Sequence, residues 1–186
     1  MGAADILRGQ LQRALVGARW LVDGLTDDEY FWEPAPGCWS VRPKASGARG
    51  YGIGEWVCED GWPPPDPVPL TTIAWRVTHL AAWTDIYREW TFGEARPRLA
   101  DVDVPGTAQA GVAWLLRSQD EFTAEVERLT DADIAELRPA HFGPDMSIEW
   151  LVSAIAREHI HHAAEIGVLR DVKSGHGRLQ PPPFLE

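Results

Sequence analysis

Cysteine is nearly missing from the 186 residues. Cys38 and Cys58 are the only two, too few for a disulfide framework, and their positions alone leave open whether they pair. No apolar run approaches the roughly 20 residues that cross a bilayer. The opening MGAADILRGQL lacks the basic-then-apolar layout of a secretory signal, and Ile6 stands where a myristoylation signal needs Ser or Thr. The expectation is a cytoplasmic protein with no membrane partner. Basic residues are also short: 17 Lys and Arg against 28 Asp and Glu give a formal net charge of −11. Phosphate backbones are repelled by such a chain. Arg42, Lys44 and Arg49 come nearest to a basic patch, and Glu55, Glu59 and Asp60 soon follow them. Nucleic acid is therefore not an expected partner. No G-x-S-x-G occurs, so a serine hydrolase has no support. The glycines of GARGYGIGEW fail the dinucleotide fingerprint, because Glu55 and Trp56 occupy the place of its last glycine.

Hydrophobic residues (45%) and charged residues (24%) are in ordinary globular proportion, and the length suits one domain. Ten tryptophans supply large flat surfaces for a core or pocket. Four segments have helical periodicity. Over 3–25 the stripe is Leu7, Leu11, Ala14, Ala18, Leu21 and Leu25; over 71–92 it is Ile73, Val77, Leu80, Trp83 and Tyr87. Over 107–129 it is Val112, Leu115, Leu116, Phe122, Val126 and Leu129; over 147–172 it is Ile148, Leu151, Ile155, Ile166 and Leu169. Thr71 or Thr72 suits the start of the second helix, Gly93 its end, and Ser147 the start of the fourth. Residues 26–70 are dense in proline and glycine and cannot form one helix; 41–57 has room for a short hairpin. One apolar stripe per helix predicts an all-α four-helix bundle over 1–172, with 26–70 as a long irregular connection between helices 1 and 2. Residues 173–186 read as a polar, proline-rich tail.

The fourth helix carries polar groups inside its stripe, in the run AREHIHHAAEIGVLRD. With Ile155 at the centre of the apolar face, His162 falls about 20° away, Glu158 about 60° to one side and His159 about 40° to the other, while His161 lies about 120° off, towards solvent. A buried carboxylate beside a buried imidazole is costly without a partner. A divalent ion is one such partner, since Glu158 and His162, four residues apart, can both reach it. His79, in TTIAWRVTHLAAW, faces the same side as Ile73, Trp83 and Trp90. It is the only histidine of the first three helices and the natural third ligand. The plainer alternatives are a core histidine at 79 and a metal-free Glu158–His162 pair. His159 is the main rival ligand, and His161 is spaced to pair with Glu158. Arg157 stands where H-E-x-x-H would need its first histidine, so a zincin protease is unsupported.

The stretches LTDDEYFWEPAPGCWSVRP, TIAWRVTHL and EHIHHAAEIGVLRD resemble the DinB/YfiT-like superfamily, which includes the mycothiol-dependent maleylpyruvate isomerases. The resemblance implies a four-helix bundle that holds a metal through one residue of the second helix and two of the last. The common pattern there is His, then His-x3-His; the maleylpyruvate isomerase branch looks like His, then Glu-x3-His. His79, Glu158 and His162 match the second form. His159 and His161 fall outside it and are expected beside the centre or at the surface. The resemblance does not imply DNA binding. It implies a divalent metal (zinc first, with nickel, iron or manganese also suited to the donors) and a low-molecular-weight thiol such as mycothiol or bacillithiol.

The expected function is a metal-dependent S-transferase or isomerase in which a thiolate attacks a small electrophilic substrate. A metal-dependent hydrolase is the nearest alternative. The others are a non-catalytic metal- or small-molecule-binding bundle of the stress-response type, and a purely structural bundle that dimerises through an exposed helix face. A homodimer is implied by relatives. Trp32, Cys38 and Trp39 of the long connection are expected to roof the pocket. His141 is expected in a loop and His176 in the tail.

Overall fold

The computed structural model describes residues 2–94, 96–141 and 143–177 and is mostly helical. Among the described residues there are five helices: α1 (Ala3–Val22), α2 (Asp27–Tyr30), α3 (Ile73–Phe92), α4 (Ala108–Val126) and α5 (Ile148–Ser174). The four long ones are the four periodic segments, and side-chain caps place the starts of α3, α4 and α5. The Thr72 hydroxyl accepts the Trp75 N–H, Thr107 that of Ala110 and Ser147 that of Trp150, at 3.2–3.3 Å. Each such cap contributes about 1 kcal/mol.

The expected end of the last helix is two residues early. α5 runs through Ser174, where Gly175 turns left-handed (φ +75°) and its N–H bonds back to the Asp171 carbonyl. Polar composition does not stop a helix, whereas a glycine at this position does. Lys173 is held instead in an ion pair with Asp28 at 2.6 Å. Residues 178–186 of the expected tail lie outside the described residues.

α5 packs along α1 on one side and α3 on the other; α4 packs along α3 and meets α1 more lightly. α3 is central, covered by α4, α5 and a small sheet. This explains why Ile73, Ala74, Val77, Thr78, Leu80, Ala81 and Ala82 are all buried, leaving no clean polar face. One apolar cluster surrounds α3 with Tyr30, Val41, Cys58, Leu115 and Ile166. The second, at the other end of the helices, gathers Leu11, Phe122, Ile148 and Ile155.

The long connection holds more than a hairpin. Strands β1 (Val41–Pro43), β2 (Gly50–Tyr51) and β3 (Trp56–Glu59) form an antiparallel sheet in the order β1-β3-β2. Val41 lies opposite Cys58 and Gly50 opposite Glu59. Strands of two to four residues are too short to show alternation, so the third was not visible in the pattern. A further two-stranded ladder, β4 (Leu137–Arg138) with β5 (Met146–Ser147), leads into α5. Cys38 and Cys58 are both buried, free thiols; Cys38 Sγ–H donates to the Ala35 carbonyl at 2.9 Å. The Trp39 N–H donates to the Leu70 carbonyl and the Thr72 N–H to the Trp39 carbonyl, which ties the connection to the start of α3.

Candidate metal centre

α3 and α5 lie side by side, and the three residues singled out by the helical wheel meet between them. Glu158 Oε2 is 3.4 Å from His162 Nε2 and 3.9 Å from His79 Nε2. One donor atom of each residue lies within 4.8 Å of the other two. Two donors each roughly 2.1 Å from one ion at a tetrahedral angle stand about 3.4 Å apart, so the spacing fits a single metal ion. Three protein donors would leave a coordination position open, as in catalytic rather than structural sites.

The charges fit as well. Hydrogen bonding to His162 and then to His79 holds the Glu158 carboxyl far below the usual carboxylate range, against the opposing effect of burial. Burial pushes His162 down, so its ring is neutral near pH 7 and able to offer a lone pair. Glu158 Oε1 is taken by Arg157 at 2.9 Å, at the exposed edge. Trp75 stacks on His79 (ring centres 4.7 Å, planes 17° apart), and its Nε1–H donates to the Glu59 carbonyl at 2.7 Å. His79, Trp83, Tyr87, Ala154, Ile155, Arg157 and Glu158 line a cleft of ≈ 190 Å³. Burial, and then the Glu158 charge, pushes the Tyr87 phenol up, so it stays protonated.

The other histidines do not join this group. His159 is fully buried, deeper than the position beside the centre or at the surface that the resemblance implied. Its Nδ1–H donates to the Ile155 carbonyl at 2.9 Å, and burial pushes its pKa down to about 4. It is a neutral core residue because α1 also packs along α5. His161 is exposed, stacked on His162 with ring centres 4.6 Å apart. His141 sits in a loop edge-on to Trp83 and Trp90, and His176 is exposed beyond α5. Trp32, Cys38 and Trp39 do not line the cleft; the connection reaches the centre through Glu59 and Trp75 instead.

Two residues escaped the sequence reading. Glu165 Oε2 is 2.8 Å from His162 Nδ1, and Arg76 contacts the same carboxylate. Burial pushes Arg76 down to about 10, so it stays charged at neutral pH. The signal was present as spacing: Glu165 is three residues from His162, and Arg76 three from His79.

Comparison with known proteins follows the fold. The family model described as the DinB superfamily matches residues 59–166, more than half of the chain and the span that holds all three donors. A DinB-like protein of known crystal structure from Bacillus cereus is similar to the chain, with a TM-score of 0.60 and 18% identity over 90% of this chain and 91% of that one. No curated protein matches the sequence significantly. On the family match and the shared architecture, the chain belongs to the DinB superfamily.

Proposed function

We propose that His79, Glu158 and His162 bind one divalent metal ion, zinc by preference, in a four-helix bundle that activates a small thiol towards an electrophilic substrate. The convergence of two imidazoles on one carboxylate at 3.4–3.9 Å carries this reading. Held there, the ion supplies Lewis acidity and lowers the cost of an anionic sulfur or oxygen nearby. The protein supplies the rest. Glu158 brings a negative charge that offsets a dication, and Trp75 fixes the plane of the His79 ring. Trp83 and Tyr87 wall the cleft with apolar surface that excludes water from one side, and the Tyr87 hydroxyl remains a proton donor. Arg157, exposed at the rim, offers a positive charge to an anionic substrate or thiol.

Metal content measured by mass spectrometry on tag-free protein tests the first half. About one ion per chain, lost in Glu158→Ala and in His162→Ala, supports the centre; no ion after exposure to several divalent metals reduces Glu158 and His162 to a polar pair. Thiol-dependent turnover of model electrophiles, abolished in His162→Ala, tests the second half. Metal binding without any turnover favours a non-catalytic binding protein.

A further inference from the structure

Behind the three donors lies a second group. Glu165 Oε2 is 2.8 Å from His162 Nδ1, and Glu165 Oε1 is 3.4 Å from His161 Nε2. His161, His162 and Glu165 are close enough to take a cation of their own, but a cation already stands there. The Arg76 guanidinium contacts the same Glu165 oxygen, and its Nη1 lies 3.0 Å from His162 Nδ1. The Arg76 side chain is only 12% exposed, so this pair is less screened than one at the open surface.

These contacts decide where the His162 ring carries its proton. A neutral imidazole has one N–H. With Nδ1 bare, its lone pair would face a Glu165 carboxylate oxygen at 2.8 Å, and its one possible donor, the Arg76 Nη1–H at 3.0 Å, would be drawn away from that carboxylate. With the proton on Nδ1, both Nδ1–H and the Arg76 Nη1–H donate to Glu165 Oε2. The 3.0 Å between the two nitrogens is then the separation of two donors sharing one acceptor. Nε2, at the longer distance of 3.4 Å from Glu158 Oε2, is then left with its lone pair towards Glu158 and His79, a repulsion in the metal-free protein that a cation among the donors relieves.

We propose that Glu165, anchored by Arg76, is the positioning residue of the centre: it fixes His162 as the Nδ1–H tautomer and so presents a bare Nε2 to the metal. This rests on the metal-centre reading above. Carboxylates that hold the second nitrogen of a ligating histidine set ring orientation and basicity in metal sites generally. Here one helix delivers both groups, because a spacing of three residues puts Glu165 one turn beyond His162.

The test reads tautomer and affinity separately, in the wild type, Glu165→Gln, Glu165→Leu and Glu165→Ala. Long-range proton–nitrogen correlation on the metal-free proteins at neutral pH reports the His162 tautomer; competition with a chromophoric chelator reports zinc affinity. Gln keeps a carbonyl acceptor, whereas Leu and the helix-favouring Ala do not. The expected result is the Nδ1–H form in wild type and Gln, with zinc affinity within a few-fold of each other. In Leu and Ala the affinity falls by roughly 10–100-fold. Wild-type affinity in both Leu and Ala, or a wild-type His162 protonated on Nε2, overturns the proposal and leaves the metal centre standing. A wild type that binds no zinc overturns the metal reading instead, and the tautomer spectra still decide whether Glu165 sets the ring.

Discussion

Trp75 lies flat against His79, with ring centres 4.7 Å apart and planes 17° from parallel. The same indole is pinned by its Nε1–H to the carbonyl at the end of β3, so the sheet fixes the orientation of a histidine on the helix beside it. Such a ring pair contributes about 0.5–1.5 kcal/mol beyond its buried area. Trp75→Ala should therefore weaken zinc binding by up to about tenfold, with Trp75→Phe in between, as read by isothermal calorimetry. Unchanged binding in Trp75→Ala would show that the ion alone orients the ring.

Metal loading should also appear in thermal stability. An ion at 100 times its dissociation constant stabilises a protein by about 2.7 kcal/mol. For a chain of this length that is roughly 5–10 °C in Tm. Scanning calorimetry should show the rise with zinc and its reversal by a chelator, and His162→Ala should show neither. Equal Tm values with and without metal in the wild type would leave the bundle purely structural.

Acid should loosen the far end of α5. Arg170, 5% exposed, donates to both Glu29 oxygens at 2.9 and 3.3 Å and to the Leu21 and Asp23 carbonyls. Burial raises the Glu29 pKa, but hydrogen bonds from Arg170 and from the Thr26 backbone outweigh it, and the net value lies below 4.5. The unfolded chain thus takes up the proton first. The stability Glu29 contributes is complete above pH 4.5 and is lost as pH falls from there through the lower folded value. Denaturant titrations across that window should show a shallower acid loss for Glu29→Gln than for the wild type. Arg170→Met, which leaves the carboxylate without its guanidinium, should cost about 3 kcal/mol at pH 7.

A single methyl on α4 should be felt in the core. A Cβ added at Gly111 would land on the Tyr30 hydroxyl, and Tyr30 is fully buried. Gly111→Ala should destabilise by about 1–3 kcal/mol through overpacking, despite the better helix propensity of alanine. Removing the obstructing oxygen in Gly111→Ala with Tyr30→Phe should recover part of the loss. A double-mutant cycle by urea unfolding measures the coupling, and strict additivity would mean the two groups do not collide.

Periodicity placed the long helices because each has a stripe long enough to repeat several times. It failed where repetition was too short, as at the third strand of the connection and at β4 and β5, and at α3 it gave the helix but not its burial on several sides. Trp114 was missed on α4 for a related reason: it is buried although its Nε1–H donates to Asp85 at 2.7 Å, and the chosen stripe ran through its neighbours. The three candidate donors were readable because a polar residue on an apolar face is conspicuous. Glu165 was not, since one more glutamate on a half-exposed face looks like solvated surface. Only the guanidinium of Arg76, 89 residues away in the chain, gives it a distinct role, and no local pattern carries that contact.

His79 and Glu158 are also distant in sequence, with all of α4 and its flanking loops between them. An ion shared by the two would close a loop of about 80 residues, the regime in which a link removes most freedom from the unfolded chain. The centre would then behave as a reversible crosslink, fastening the first half of the protein to the last helix. Metal supply would set how long the fold persists as well as whether it can react.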